Sequence, residues 1–250
     1  MTDDIERRFS WRGKHLRVEV LYTRAGVAQH IWVEADDKAL LFDTGDGTLR
    51  DIIDAGLELT KLGGIFYTHG HFDHMGGLHT LLGFLRMVVR EEPLPVHAPE
   101  GCTEVFSSVV NFKRCYPDTL SFTLPCRELK DGDRVEIGSM TVESFETVHC
   151  GSLTDGAIQD QIPATGYRVA CRGETVAITG DTGLTDAVRR LVKDADLALI
   201  EATNETSTEM EAEFLRNVHL AEDIAVELGR TAKEFILVHK GWRKNKSIKL

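Results

Sequence analysis

Short apolar runs that end in polar residues recur along the chain, and they predict strands with functional side chains at their tips. In the first part of the chain, alternating or continuous apolar positions predict strands over 16–22, 29–34, 39–42 and 65–67. Further strands are predicted over 93–99, 121–129, 134–137, 141–148, 165–171, 175–179, 197–201 and 235–238, and helices over 49–55, 77–89, 100–112, 186–193 and 219–228. Strands that alternate with amphipathic helices are typical of a layered α/β protein.

One strand tip, the stretch 68–77 with the sequence THGHFDHMGG, concentrates metal-binding residue types. His69 and His71, two residues apart in an extended segment, point the same way, while Asp73 and His74 follow after a turn. This arrangement supplies two adjacent metals more naturally than one. A single histidine in a turn is usually solvated or hydrogen-bonded. A whole cluster would bury polar groups without partners unless a divalent metal accepted them.

Other predicted strands also end in candidate ligands. These tip residues are Asp43, His149, Asp181 and His239. Because loops at strand ends carry function in layered proteins, we expect them to gather near the 68–77 stretch. Five imidazoles and two carboxylates can form two open sites with three terminal ligands each and one shared carboxylate. Asp43 is expected either as a turn residue or as a group that supports a ligand from behind.

Composition bounds the class of protein. At 250 residues and 42% hydrophobic content, we expect one domain over 1–250. The five cysteines are scattered and form no CxxC pair, which favours buried free thiols over disulfides or a cysteine-bound zinc. No apolar run approaches the ~18 residues of a membrane span, and the polar segment 1–8 is unlike a signal peptide. A cytoplasmic protein without membrane contact is expected.

Charge argues against general nucleic-acid binding, because a formal net charge of −11 repels phosphate backbones. The segment 240–246, KGWRKNK, is a local basic exception. Either a phosphate-binding role or a solvated terminus is compatible with it.

The motif His69-Gly70-His71-Phe72-Asp73-His74 matches the HxHxDH signature, and the chain resembles the metallo-β-lactamase-fold hydrolases. The resemblance implies a four-layer αββα sandwich, in which two mixed β-sheets are flanked by helices. It further implies that His69, His71 and His149 hold one metal, that Asp73, His74 and His239 hold the other, and that Asp181 bridges them. Two divalent ions follow, with zinc favoured by the imidazoles and manganese or iron also fitting.

The last third of the chain is similar to one branch of these hydrolases, the ribonuclease Z branch, whose members are phosphodiesterases. The similarity lies in the segments 180–183, 195–203, 219–225 and 237–239. It implies that His219 opens a helix and donates a proton to the leaving oxygen. Glu201 could orient His219, and Asp73 could accept a proton. The alternatives are an N-cap role for His219 and a lysine-paired, strand-end carboxylate for Glu201.

The connection between His149 and Asp181 departs from that branch, because we expect its 31 residues to be too few for a tRNA-gripping arm. The segment 151–163 is expected to form a loop over the site. We therefore expect hydrolysis of a small phosphodiester, such as a cyclic nucleotide or a short RNA or DNA, by a metal-bridging hydroxide. The alternatives are a lactone, thioester or β-lactam hydrolase, tRNA 3′-end processing, and a di-iron redox module. A homodimer is left open.

Overall fold

The computed structural model describes residues 8–152, 157–207 and 212–241. Their strands are β1 Phe9–Arg12, β2 Arg17–Arg24, β3 Ala28–Ala35, β4 Lys38–Phe42, β5 Leu62–Phe66, β6 Val96–Pro99, β7 Cys126–Leu129, β8 Arg134–Ile137, β9 Met140–Glu146, β10 His149–Ser152, β11 Ile158–Ile162, β12 Thr165–Cys171, β13 Glu174–Ile178, β14 Leu197–Glu201 and β15 Glu234–Val238. Their helices are α1 Thr48–Asp54, α2 Phe72–Met75, α3 Leu78–Met87, α4 Thr103–Cys115, α5 Asp186–Val192, α6 Ala212–Asn217 and α7 Glu222–Gly229, with a 3₁₀ turn at Leu59–Lys61.

Two large mixed sheets dominate the fold. The first has seven strands in chain order, β1 to β7, antiparallel as far as β4 and parallel from β4 onward. The second has six strands in the order β15-β14-β13-β12-β9-β8, with β13, β14 and β15 parallel. The parallel parts place several strand ends, and the polar residues that follow them, at one edge of each sheet.

The layers pack as helix, sheet, sheet, helix. Between the sheets, Phe42 and Phe66 from the first sheet contact Tyr167 from the second, with ring centroids 5.4 and 5.6 Å from that of Tyr167. On the outer face of the first sheet, α3 and α4 bury Leu81, Leu82 and Val109, while α5 and α7 cover the second sheet. Each large apolar side chain buried in this way stabilises the fold by roughly 1.5–3 kcal/mol. The predicted αββα architecture is confirmed.

Hydrogen bonds also connect the edges of the two sheets at which the polar strand tips lie. The Tyr167 hydroxyl donates to the Tyr67 carbonyl at 2.6 Å, and the Thr165 N–H donates to the Thr68 carbonyl at 2.8 Å. Both acceptors lie directly after β5, where the 68–77 stretch begins. The two sheets therefore present their polar tips to a common space.

Several sequence expectations need correction. The strand predicted over 121–129 is restricted to β7, which begins directly after Pro125, a residue without the N–H that a ladder requires. The helix predicted over 219–228 begins at Glu222, and its N-cap is Ala221 in an extended conformation. Strand β1 and helix α6 were not predicted.

The segment 151–163 is also different from the loop that was expected. Its described residues belong largely to β10 and β11, which pair antiparallel with His149 opposite Ile162 and Cys150 opposite Gln161. Residues 153–156 lie outside the described part of the chain, as do residues 242–246 of the basic segment. Among the described residues, no helix combines the length and the apolar character needed to cross a bilayer.

Candidate metal centre

The fold brings all seven residues predicted as ligands together at the shared edge of the two sheets. Asp181 follows β13, His239 follows β15 and His149 begins β10. In the 68–77 stretch, His69 and His71 precede α2, while Asp73 and His74 lie within it. His79 and His97, expected to be structural, lie on α3 and β6 and belong to none of the metal-compatible groups found among the described residues.

A first group that could hold a metal ion consists of His69, His71, His149 and Asp181, whose donor atoms lie within 4.8 Å of one another. The Nδ1–H of His149 donates to the Val218 carbonyl at 2.9 Å, so its Nε2 faces Nδ1 of His71 at 3.3 Å. Fixing one ring nitrogen in this way selects the tautomer whose other nitrogen can bind a metal.

A second group consists of Asp73, His74 and His239, again with donor atoms within 4.8 Å. Nε2 of His239 lies 3.2 Å from Nε2 of His74 and 3.2 Å from Oδ2 of Asp73. Behind this group, Asp43 accepts the Nδ1–H of His74 at 2.8 Å and the N–H of Thr68 at 2.8 Å. Asp43 thus supports a candidate ligand from behind, in addition to its place in a turn.

Asp181 lies between the two groups. Its Oδ2 is 3.8 Å from Nε2 of His69, and its Oδ1 is 3.4 Å from Nε2 of His74 and 3.2 Å from Nδ1 of His239. The carboxylate can therefore serve both groups at once.

The protonation states suit metal binding in the first group. Burial lowers the pKa of His69 well below its usual value, that of His71 as well, and that of His149 to about 4. These imidazoles are therefore neutral near pH 7, with lone pairs available for a metal. The acidic residues are ionised: burial opposes this, but neighbouring histidines lower the pKa of Asp73 to about 2 and that of Asp181 well below its usual value.

The pKa of His74 shows that the carboxylates of the cluster favour a positive charge beside them. Burial disfavours its protonated form, yet the charges of Asp181 and Asp43 raise the pKa of His74 well above its usual value. No lysine or arginine forms a salt bridge with Asp43, Asp73 or Asp181 within the described residues. A divalent cation would balance the same carboxylates.

Unsatisfied buried atoms give an independent test of whether a metal fits. His69 Nε2 and Asp181 Oδ1 are buried and neither forms a hydrogen bond in the described part of the chain, since the ring nitrogens 3.2 and 3.4 Å from Oδ1 lack hydrogen-bond geometry. A buried polar atom without a partner costs roughly 1–3 kcal/mol. Both atoms face the space between the groups, so the donor set fits divalent metal ions.

Beside this donor set, His219 pairs with Glu201. The Nδ1–H of His219 donates to Glu201 Oε1 at 3.0 Å and lies 4.0 Å from Asp181 Oδ2. Burial opposes protonation of His219, but Glu201 outweighs it and raises the His219 pKa to about 9. His219 lies three residues before α7, so the expectation that it opens or caps that helix is wrong.

The Glu201 carboxylate is fully buried and holds the segment that carries His219. One oxygen accepts the backbone N–H groups of Thr182 at 3.0 Å and Leu220 at 3.1 Å, besides the ring N–H of His219. Its other oxygen accepts the N–H and the hydroxyl of Thr203, at 3.0 and 2.9 Å. The helix starts late because the Leu220 carbonyl, which an earlier start would pair with the Ile224 N–H, accepts the N–H of Asn204 at 3.1 Å.

Sequence reasoning missed the residues that hold the candidate ligands in place, chiefly Thr68, Thr203 and Thr23. Their bonds to the cluster join residues far apart in the chain, so no local pattern marks them. For Thr203 a weak signal exists, since it lies two residues beyond Glu201 and so on the same side of an extended segment.

Comparison with known families agrees with this geometry. A family model described as the beta-lactamase superfamily domain matches residues 39–240, and the chain belongs to this family. It is a metal-dependent hydrolase of the metallo-β-lactamase fold, similar in sequence to the ribonuclease Z branch.

Individual relatives differ in how much of their length is matched. Ribonuclease Z from Archaeoglobus fulgidus is 27% identical over 257 residues, covering 86% of this chain and 82% of that protein. Ribonuclease Z from Pyrococcus abyssi is 33% identical over 137 residues, covering 55% of this chain but only 40% of that protein. The crystal structure of human tRNase Z, short form, superposes with a TM-score of 0.73 at 22% identity, covering 91% and 93% of the two chains. This last likeness shows the shared fold.

Proposed function

We propose that the protein is a dinuclear, zinc-dependent phosphodiesterase that hydrolyses a small phosphodiester, such as a cyclic nucleotide or a short RNA or DNA. His69, His71 and His149 would hold one ion, Asp73, His74 and His239 the other, with Asp181 shared. The neutral imidazoles favour zinc, while the mixed nitrogen and oxygen donors also suit manganese or iron. Bound ions would lower the pKa of a shared water and balance the charge that develops on the phosphate.

The observation that carries the proposal is the pairing of His219 with Glu201 beside the two ligand groups. With Nδ1 bonded to Glu201, the Nε2–H of His219 is the proton that can reach a leaving oxygen. A His219 pKa of about 9 keeps the ring protonated at neutral pH. Breaking a phosphodiester expels an alkoxide, which requires such a donor. Asp73, which is ionised, is positioned to accept a proton from the attacking water.

A second candidate is processing of tRNA 3′ ends, and it is favoured by the 82% coverage of the Archaeoglobus fulgidus ribonuclease Z. Two features favour a smaller substrate instead. The chain between His149 and Asp181 has 31 residues, and its described part forms strands β10 to β13 and close connections. The net charge of −11 also repels a long polyanion.

We also propose that the chain folds as one domain, which the family match over 39–240 supports. We propose that the protein acts in the cytoplasm. Size-exclusion chromatography with light scattering would show whether it is a homodimer.

The test is a comparison of His219→Ala with the parent enzyme on four substrates: bis(p-nitrophenyl) phosphate, a cyclic nucleotide, a tRNA precursor and a thiolactone. We expect kcat for the cyclic nucleotide to fall by roughly two to four powers of ten in the variant, because the proton donor for the leaving alkoxide is lost. The kcat for bis(p-nitrophenyl) phosphate should fall much less, because p-nitrophenolate leaves without a proton. Metal content, measured by elemental analysis, should remain at the parent value.

His79→Ala is the matched control, since His79 is exposed on α3 and contacts Phe112 and Tyr116 instead of the cluster. Preference of the parent enzyme for the thiolactone would overturn the proposal, as would unchanged turnover of the cyclic nucleotide in His219→Ala. Preference for the tRNA precursor would replace the small substrate with the second candidate.

A further inference from the structure

The turn that joins β2 to β3, together with the strand ends beside it, reaches across to the second ligand group. Three residues are involved: Thr23 near the end of β2, Gly26 in the turn and Gln29 near the start of β3. The Gly26 N–H donates to Asp73 Oδ2 at 2.8 Å, and the Thr23 hydroxyl accepts the backbone N–H of His239 at 2.6 Å. No hydrogen bond found among the described residues joins these three to His69, His71 or His149. The turn therefore acts on one half of the donor set.

His239 needs this support because its backbone is strained. Its φ of 50° lies in the left-handed region, which a residue with a Cβ adopts at a cost of order 1–2 kcal/mol. Such a conformation persists only where surrounding bonds hold it. The Thr23 hydroxyl accepts the N–H of His239, while the Thr203 hydroxyl, 3.0 Å from the His239 carbonyl, donates its one proton to Glu201. The bond to Thr23 therefore holds the His239 backbone that places the ring at the cluster.

Gln29 fixes the direction of the Thr23 hydroxyl. The hydroxyl has one proton, which it donates to Oε1 of Gln29 at 3.0 Å, so its lone pairs remain to accept the N–H of His239. Thr23 is 3% exposed and Gln29 is fully buried, so water does not compete for these bonds. Gln29, Thr23 and His239 thus form one directed chain of hydrogen bonds.

One carboxylate oxygen of Asp73 contacts both the turn and His239. Oδ2 of Asp73 accepts the Gly26 N–H and lies 3.2 Å from Nε2 of His239. Because both residues belong to the second group, a shift of this turn would displace two of its three members together.

We propose that Thr23 and Gln29 are positioning residues that set the affinity of the second metal ion while leaving the first unaffected. The inference rests on the proposed dinuclear site, but not on its substrate. Bonds behind a metal ligand typically contribute tenfold to a hundredfold in affinity. A general loss of stability would weaken the binding of both ions, so a loss of affinity confined to the second ion identifies a positioning role.

The experiment starts from the zinc-loaded full chain, equilibrated against buffers of graded free Zn²⁺, with zinc per chain counted by elemental analysis. The parent should lose zinc in two steps. In Thr23→Val, which removes the hydroxyl at nearly constant volume, the second-site step should move to free Zn²⁺ roughly tenfold to a hundredfold higher. The first-site step should stay in place. Gln29→Met should move the same step in the same direction by less.

Two further variants separate positioning from packing. Thr23→Ser keeps the hydroxyl and should restore most of the parent affinity. Thr147→Val is the matched control, because Thr147 is equally buried and its hydroxyl has no hydrogen-bond partner within the described residues.

Equal weakening of both steps in Thr23→Val, no change in either, or the same shift in Thr147→Val would each overturn the inference. A parent enzyme that binds one zinc would overturn it together with the dinuclear site. A parent that binds two zincs but leaves phosphodiesters intact would overturn only the proposed substrate.

Discussion

Two buried clusters of histidine and aspartate in this fold have opposite electrostatic designs. In one, Asp51 on α1 accepts bonds from His30 at 2.9 Å, Arg8 at 2.8 Å and Arg50 at 3.0 Å. In the other, at the shared edge of the sheets, Asp181 faces only histidines, and its Oδ1 has no hydrogen-bond partner in the described part of the chain. Arginine neutralises the first cluster from within the protein, whereas the second has no arginine or lysine among its described ion pairs.

The contrast shows that burial of histidine and aspartate does not by itself define a metal site. A carboxylate whose charge is balanced by arginine is complete without an ion. A carboxylate that faces imidazoles but no arginine or lysine attracts a cation. Charge balance and the unpaired carboxylate oxygen of Asp181, rather than residue type, distinguish the two clusters, and the charge of each cluster can be altered separately.

The largest effect is expected from Asp181→Asn, which removes the shared charge at nearly constant shape. Zinc content should fall below the parent value, and phosphodiester turnover should drop by about three powers of ten or more, because a metal contributes several kcal/mol to the transition state. Elemental analysis and steady-state kinetics measure both. Full zinc content with parent turnover would show that Asp181 is not a shared ligand.

The converse change, Asp51→Ala, should affect stability and leave the metal unaffected. It removes the partner of the buried His30, and we expect a loss of about 3 kcal/mol in the free energy of unfolding at pH 7. Zinc per chain should equal the parent value. Asp54→Ala, on the exposed side of the same helix, is the control. A drop in zinc content in Asp51→Ala would show that the Asp51 cluster influences metal binding at the other cluster.

The pH dependence of this difference follows from Asp51 itself. Burial raises the pKa of a carboxyl, but bonds from His30 and Arg50 outweigh it and lower the Asp51 pKa to about 2. A depressed folded-state pKa stabilises the fold above the unfolded value of 3.8, and this contribution disappears as the pH falls from 3.8 toward 2. The stability gap between parent and Asp51→Ala should narrow over that range in urea unfolding.

The predictability of the two clusters from sequence differs for a physical reason. The HxHxDH stretch is local: spacing two along a strand tip and a following turn place His69, His71, Asp73 and His74 with little help from the rest of the fold. His149, Asp181 and His239 could be placed because each ends a predicted strand. The Asp51 cluster was not found, since His30 on β3 and Arg8 before β1 lie far from Asp51 in the chain and share no pattern with it.

Errors in the element boundaries have a similar cause. The apolar spacing of Leu220, Ile224 and Leu228 predicts a helix that starts near 219, but the Leu220 carbonyl, which an earlier start would pair with the Ile224 N–H, accepts the N–H of Asn204 at 3.1 Å. The polar run 158–162 reads as a loop because β11 is largely exposed and is held by backbone pairing with β10. In both places a tertiary contact overrides the local signal.

His97 extends the comparison to a buried imidazole that has neither a metal nor a carboxylate. It is 4% exposed, stacks on Phe66 with ring centroids 4.5 Å apart, and neither ring nitrogen has a partner among the described residues. Burial, with the charge of Arg127, lowers the pKa of His97 to about 4. The unfolded chain takes up this proton near pH 6.5 and the folded chain does not, so stability is lost as the pH falls from 6.5 toward 4.

His97→Phe should therefore stabilise the protein more at pH 5 than at pH 8, by about 2 kcal/mol in the free energy of unfolding. Urea unfolding of parent and variant at both pH values, at equal zinc concentration, cancels the effect of acid on the metal centre. His79→Phe, on the exposed surface of α3, should show the same difference from the parent at both pH values. An equal gain for His97→Phe at pH 5 and pH 8 would mean that His97 takes up its proton within the fold. An uncompensated buried imidazole would then be tolerated in either charge state, and the distinction drawn between the two histidine–aspartate clusters would lose its electrostatic basis.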